Sequence, residues 1–377
     1  MDIKNRNLFR INRIFFLRLP WLFRFLTKFR ETEKRLLIIK TDAIGDYVLF
    51  RNFIEAVKTS ALYNDYSIDV LGNVLWQDLA VNYDAAFVNE FIFIKANDYY
   101  NSPLQTLKLG WRLFKKNYSV VLQPTYSRTL INDSLAALTG SRQIMGFEGD
   151  SISIPARYKI KTDKFYKERF ILPQNIHFEF ERSKFFFESV LKEKLTINSL
   201  FIPVEKKENS GIVIFPGAGI FKRSWRKEDF LVLIKLLKQH TQQPIYLAGG
   251  PGDQQIGNYL EKNMPPQSVD NLIGKTTLPQ LVELIGNAAL VVANETSAIH
   301  IAVATKTPSV CILGGGHFER FAPYPEYFEN RPVCIYQKME CYYCNWNCIY
   351  KTAGTEPYPC IDKVNLDGVW QAVLPLL

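Results

Sequence analysis

Three stretches of this 377-residue chain end an apolar run in a polar turn whose side chains can do chemistry. The first is Ile38–Phe50 (IIKTDAIGDYVLF), where Asp46 follows Gly45 at the expected start of a helix. Gly45 lends the turn backbone freedom, and a carboxylate at a strand's carboxyl end can take a proton from a substrate hydroxyl. Asp is also a common helix N-cap, so a purely structural role for Asp46 stays open. The second is Ile212–Phe230, where Pro216, Gly217, Ala218 and Gly219 precede Lys222, Arg223 and Arg226. Small residues followed by cations after a strand suit phosphate binding; a solvated basic turn is the plain alternative. The stretch is not a dinucleotide fingerprint, because Lys222 holds the place of the third glycine, and it is not a Walker A loop. The third is Ala289–Gly316, in which Asn294, Glu295, Thr296 and Ser297 open a helix that carries His300 one turn later. Free N–H groups and hydroxyls at a helix start form an anion site; capping by Thr296 or Ser297, with His300 packed inside, is the other reading.

Four of the six cysteines cluster late, as Cys341-x2-Cys344-x3-Cys348-x11-Cys360. Four thiolates at short spacing suit a structural zinc, with disulfides or free thiols as alternatives. Cys311 falls in an apolar run and reads as inert core. Histidine is scarce, limited to His177, His240, His300 and His317. His317 follows Gly314–Gly316, at a strand's end, where it could serve as a base, a role that suits Asp46 better. Neither a Ser–His–Asp elbow nor H-E-x-x-H occurs.

These turns need elements to hold them. Apolar, β-branched runs alternate with helical periodicity, the mark of α/β sheets. Strands are expected at Arg35–Lys40, Ser67–Leu71, Phe91–Ile94, Ser119–Gln123 and Gln143–Phe147, with helices over Tyr47–Lys58, Pro103–Lys116 and Thr129–Thr139. Phe147–Pro173 reads as irregular, followed by a helix at Phe178–Leu191. A polar stretch, Val204–Gly211 (VEKKENSG), then separates a second run of the same kind. Its strands are Gly211–Phe215, Pro244–Ala248, Val269–Ile273, Ala289–Ala293 and Ser309–Leu313, and its helices Lys227–His240, Asp253–Lys262, Leu278–Asn287 and Thr296–Thr305. The expected organisation is a segment 1–34, an α/β domain 35–204 and a second α/β domain 205–377. Two such halves joined by a polar hinge imply a ligand cleft at the carboxyl ends of their strands.

The net charge is +9, but residues 1–30 hold eight Lys and Arg against Asp2, a local +7 that leaves +2 for everything else. A near-neutral body excludes a basic-bodied nucleic-acid binder. Arginines break every apolar run of the N-terminal segment, which excludes a spanning helix and makes a poor signal peptide. Arg6, Arg10 and Arg13 share a helical face, Pro20 divides the segment, and Trp21, Phe23, Phe25 and Phe29 lie among the cations. That pattern suits an interfacial helix among anionic headgroups; packing on the protein's own body or on a partner are the alternatives. Cysteine use without an export signal points to the cytoplasm.

Taken together, the motifs resemble glycosyltransferase family 9, the heptosyltransferase-like enzymes of lipopolysaccharide assembly, over about residues 35–365. Lys40-Thr41-Asp42-Ala43-Ile44-Gly45-Asp46 resembles the family's opening loop, and Pro216-Gly217-Ala218 with Arg223-Ser224-Trp225 its Pro-Gly-Ala … Lys-x-Trp element. Gly249–Asp253 resembles the Gly-Gly-Pro turn, and Glu295–His300 the Asp-Thr-Gly-Leu-x-His box. The resemblance implies a GT-B fold, two Rossmann-like domains facing across a cleft, and an inverting transfer without a catalytic metal. It implies Asp46 as general base, Lys40, Asp42 and Gly45 on the acceptor-side loop, and a donor site of Lys222, Arg223, Asp253, Gln254, Thr276, Glu295, Thr296, Ser297 and His300. Glu295, Ser297 and Arg223 replace the family's Asp, Gly and Lys, and Gln254 replaces an acidic ribose contact. The implied partners are a nucleoside-diphosphate sugar, with ADP-heptose the family's best-known donor, a lipid-linked glycan acceptor and an anionic membrane surface. The implied location is the cytoplasmic face of the inner membrane. A non-catalytic nucleotide- or glycan-binding scaffold and a nucleotide-sugar epimerase of the same fold are the rival functions.

Overall fold

A computed structural model describes residues 3–31, 33–207 and 211–377. The chain divides into two compact units, Met1–Ile176 with Phe180–Thr196, and His177–Glu179 with Ile197–Leu377. The division falls earlier than the polar stretch suggests. Ile202 is buried and donates its N–H to Ala304 O, and Val204 packs on Gly286, so this lead-in belongs to the second unit. Asp2 and, within the polar stretch, Glu208, Asn209 and Ser210 lie outside the described residues.

The first unit holds β1 (Glu33–Lys40), β2 (Ser67–Asn73), β3 (Glu90–Ile94), β4 (Tyr118–Gln123), β5 (Gln143–Phe147) and β6 (Glu168–Phe170). The second holds β7 (Ile212–Phe215), β8 (Ile245–Leu247), β9 (Asp270–Asn271), β10 (Leu290–Asn294), β11 (Ser309–Ile312) and β12 (Val333–Ile335). The sheet orders are β3-β2-β1-β4-β5-β6 and β12-β11-β10-β7-β8-β9, with every pairing parallel. Read from its own first strand, each sheet has the Rossmann order, whose direction of winding reverses between the first and fourth strands. That point lies between β1 and β4 in one unit and between β7 and β10 in the other.

The helices of the first unit are α1 (Arg6–Leu17), α2 (Leu19–Leu26), α3 (Ile44–Phe50), α4 (Asn52–Thr59), α5 (Gln77–Asp84), α6 (Pro103–Lys115), α7 (Leu130–Leu138), α8 (Ala156–Thr162) and α9 (Glu179–Leu191). Those of the second are α10 (Lys227–His240), α11 (Gln254–Lys262), α12 (Leu278–Gly286), α13 (Ser297–Ala304), α14 (Pro359–Asp362) and α15 (Leu366–Val373). The helix expected over Tyr47–Lys58 is two helices. It tightens at Arg51, whose carbonyl takes the Ile54 N–H, while its guanidinium is buried against Asp84 at 2.7 Å. The stretch Phe147–Pro173 contains α8 and the edge strand β6, too short to show periodicity. Buried Arg128 and Asp133 anchor it, with Tyr166 Oη and Thr162 Oγ1 donating to Asp133 at 2.7 and 2.6 Å.

The N-terminal segment is part of the first unit's core. Phe9, Phe16 and Phe23 are buried, Phe23 stacking on Phe114 at 4.4 Å. Asn12 donates to the carbonyls of Tyr99 and Tyr100, and Arg24 to those of Ser141 and Phe165. Burying a phenylalanine side chain contributes about 1.5–3 kcal/mol. The chain turns at Arg18, and Pro20 takes the first turn of α2, where its missing N–H costs no helical bond.

Candidate active site

The loops after β1 and β4 meet at the first unit's reversal point. Lys40, the last residue of β1, is fully buried and pairs with Asp42 at 3.0 Å. Thr125 Oγ1 donates to the same carboxylate at 2.8 Å, and Thr41 Oγ1 to Asn132 Oδ1 at 2.8 Å. A pocket of about 580 Å³ opens there, lined among others by Thr41, Asp42, Asn73, Lys95, Thr129 and Ser153. Its carboxylate is Asp42, and it carries one cation and several hydroxyls and amides, a lining suited to a polyol. Asp46 does not cap its helix. Ala43 is the N-cap residue, and Asp46 is half-buried in the first turn of α3, where the helix dipole favours a carboxylate. Gly45 lies in the same turn rather than in a loop, with no positive φ.

In the second unit Asn294, the last residue of β10, joins two motifs. Its Nδ2 donates to Pro216 O at 2.7 Å and Gly217 O at 3.2 Å, and its Oδ1 takes the Trp225 N–H at 2.9 Å. Trp225 is buried, with Nε1 on Val364 O at 2.8 Å. Between these anchors Gly219 takes φ +68°, a conformation that favours glycine. Phe221–Arg223 form a single 3-10 turn. Asp253 clips this loop to the next. Its Oδ2 takes the Gly250 N–H at 2.9 Å, and a Cβ at Gly217 would fall 2.0 Å from its Cγ. Asp253, expected as a donor contact, thus spends one carboxylate oxygen on holding the turn. Gln254 is exposed, its Nε2 beside the Gly274 turn that leads to Thr276.

Arg223 is the centre of the cluster. Burial pulls its pKa down, offset by Glu295 and Tyr358, yet a guanidinium stays charged. Burial pushes Glu295 up to about 8 against the pull of Arg223, and Glu295 Oε2 is closed off from solvent. Thr296 caps α13, accepting the Ala298 N–H at 3.4 Å, and Ser297 is the helix's first residue. His300 is buried, Nδ1 2.6 Å from Tyr324 Oη, and burial pushes its pKa down to about 4. It is therefore a neutral packed imidazole with only Nε2 to offer a ligand. Lys222 Nζ donates to Thr352 Oγ1 at 2.9 Å and lies over the Tyr358 ring.

The cysteine-bearing segment supplies contacts that sequence reasoning missed. Trp346 lies over the Arg223 guanidinium at 4.4 Å, with Tyr358 stacked behind it at 5.8 Å. A Cβ at Gly316 would fall 2.2 Å from the Trp346 ring and one at Gly315 2.3 Å from Tyr342, so the three-glycine loop after β11 admits these rings. Trp346 Nε1 also donates to His317 Nδ1 at 3.2 Å, which engages the proposed alternative base. Tyr343, Asn345 and Trp346 take φ of 67°, 50° and 62°, a conformation that costs non-glycine residues about 1–3 kcal/mol each. Cys344 and Cys348 lie close enough to push Cys341 and Cys360 upward in pKa, after burial. Among the described residues no group of three or more His, Cys, Asp or Glu side chains is arranged to hold a metal ion.

The family model "Glycosyltransferase family 9 (heptosyltransferase)" matches residues 108–346, more than half of the sequence. The chain belongs to glycosyltransferase family 9. This family 9 chain is 28% identical over 130 residues to lipopolysaccharide heptosyltransferase 3 of Escherichia coli (strain K12), a match covering 34% of this chain and 38% of that protein. The sequence match thus spans well under two thirds of the relative's length. The fold matches E. coli ADP-heptose lps heptosyltransferase II with a TM-score of 0.67 at 17% identity, over 91% of this chain and 98% of that one. A glycosyl transferase family 9 structure from Veillonella parvula gives 0.70 at 16% identity, over 92% and 98%. The architecture is GT-B, built from two Rossmann-like units.

Proposed function

We propose that this family 9 member is an inverting glycosyltransferase that needs no metal for catalysis. It moves a sugar, heptose from ADP-heptose in the first instance, onto a lipopolysaccharide or other lipid-linked glycan. The observation that carries this reading is the placement of its motifs. The Asp42–Asp46 turn follows β1 at one reversal point, and the Arg223 and Glu295 turns follow β7 and β10 at the other. The likeness to two E. coli heptosyltransferases supports the heptosyl donor.

In this reading the first unit holds the acceptor in the Asp42 pocket, and Asp46 takes the proton of its hydroxyl. That oxygen forms a bond to the anomeric carbon from the side opposite the leaving group. The bond from carbon to phosphate oxygen breaks, and the nucleoside diphosphate leaves with the electron pair. Arg223, the α13 N-terminus and the Thr296 and Ser297 hydroxyls stabilise that charge, as fixed donors do. Gln254 and Thr276 meet the nucleoside. The chain works on the inner face of the inner membrane, held there by its N-terminal helices. No described helix is long and apolar enough to cross a membrane. Cys341, Cys344, Cys348 and Cys360 are a structural zinc set on ligand type and number; gathering them onto an ion requires their segment to tighten. Metal analysis of the purified chain checks this, and less than one equivalent of zinc overturns it.

The test of function is a thermal-shift and calorimetric screen against ADP, GDP, UDP, CMP and their sugar conjugates, followed by a transfer assay. Selective stabilisation by ADP is expected, because a ligand bound by the native state alone raises stability. UDP or GDP in its place changes the donor, and no response from a folded chain overturns the transferase. Asp46→Asn is expected to keep the nucleotide shift and to lose at least about a hundredfold in transfer, the usual contribution of a general base. Undiminished turnover would remove Asp46 from that role.

A further inference from the structure

The outer face of α1 and α2 joins α8 in a groove that the sugar-transfer chemistry does not use. The groove measures about 820 Å³ and is lined by Arg10, Arg13 and Arg18 from the N-terminal helices and by Lys161 and Lys164 from α8 and the turn after it. Ile11, Ile14, Leu17 and Trp21 complete the lining. Five cations therefore converge there without a carboxylate. The acid nearest in sequence, Asp163, is committed to Arg128, Lys159 at 3.3 Å and Arg169 at 3.1 Å. Residues 3–30 contain no Asp or Glu at all.

The cations of this region fall into two sets. Arg24 and Arg30 turn inward and hydrogen-bond to backbone carbonyls; they serve the fold. The groove set stays exposed, where an external anion can meet it. The apolar neighbours say what kind of anion. Ile14 is 50% and Trp21 46% exposed, and Phe25 and Phe29 continue the same exposed surface at 53% and 75%. A soluble phosphate has no use for such a rim, whereas an amphiphile matches both charge and apolar surface.

We propose that this groove seats the phosphate headgroup of an anionic membrane lipid, with its acyl chains along Ile11, Ile14 and Trp21 and the exposed phenylalanines in the bilayer interface. The proposal rests on the membrane-surface reading above and adds a defined seat to it. Its distinctive claim is that α8, which lies outside the N-terminal segment, supplies part of the seat. Tryptophan at the rim suits the headgroup level of a bilayer.

The test is flotation of the full chain with vesicles of phosphatidylcholine alone and of equal parts phosphatidylcholine and phosphatidylglycerol. Binding to the anionic vesicles alone is expected. The double variant Lys161→Gln/Lys164→Gln should lower partitioning by about thirtyfold, the usual effect of two basic residues at an anionic surface. Lys161→Arg/Lys164→Arg should restore it. Both lysines are exposed, so an unchanged melting temperature confirms folding. Parent-like binding by the glutamine variant overturns the groove while leaving the N-terminal helices as a membrane contact. Failure of the parent chain to bind anionic vesicles overturns both. Release by inorganic phosphate at matched ionic strength assigns the groove to a soluble phosphate and overturns the lipid.

Discussion

At neutral pH Glu295 mostly carries its proton, and this governs what Arg223 can do. A neutral Glu295 leaves the guanidinium charge for a diphosphate; an ionised one competes for it. Donor affinity should therefore fall as pH rises through about 8, and Glu295→Gln should flatten that fall, as read from KM for the donor against pH. Stability follows the same sign. A carboxyl whose folded pKa is raised weakens the fold as pH climbs from its unfolded value, because the unfolded chain ionises first. Glu295→Gln should thus melt above the parent by a margin that opens between about pH 4.5 and 8 and vanishes below it. Asn294 is the second residue with disproportionate reach. Asn294→Ala strands the Trp225 N–H and two carbonyls, and at about 1–3 kcal/mol per buried orphan it should cost several kcal/mol in denaturant unfolding.

At the scale of elements, the N-terminal helices present two faces, one packed in the core and one exposed. Phe9, Phe16 and Phe23 recur every seven residues and point inward, while Trp21, Phe25 and Phe29 stay exposed. Phe16→Ala should destabilise the first unit by about 3–5 kcal/mol, the usual cost of emptying a buried aromatic site. Trp21→Ala should cost less stability than Phe16→Ala, since its ring is half exposed, and should reduce vesicle binding. Denaturant titration beside flotation separates the two. Composition alone could not divide these faces, since an amphipathic basic segment reads the same whether its apolar side meets protein or lipid. The sevenfold recurrence of phenylalanine was the available signal. The strand–turn–helix units were legible because apolar runs such as Ile212–Phe215 and the Leu-Val-Val-Ala that opens β10 end abruptly in polar turns. The edge strands β6 and β12, each three residues long, were not, because pairing rather than periodicity makes them strands.

For the molecule as a whole, the two sheets share one strand order, so a single topological rule places both sets of loops. The positions of the candidate residues followed from local pattern: Asp46, Arg223 and the Glu295–Ser297 turn stand just after the ends of β1, β7 and β10. The contribution of Trp346 and Tyr358 did not. They come from a segment more than 100 residues beyond Arg223 in sequence, and nothing local to Arg223 announces them. Likewise Asp253 and His300 match motif positions, but burial and their present partners restrict what either can offer a ligand.

The stacking of Trp346 on Arg223 also makes the protein its own optical sensor. If Arg223 takes up a diphosphate as proposed, an indole held 4.4 Å from that cation changes its surroundings when the charge is met. Nucleotide binding should therefore shift the steady-state emission, and the shift should disappear in Trp346→Phe while the other tryptophans still glow. Titrating that signal would read nucleotide occupancy directly, without labelled sugar or a coupled assay.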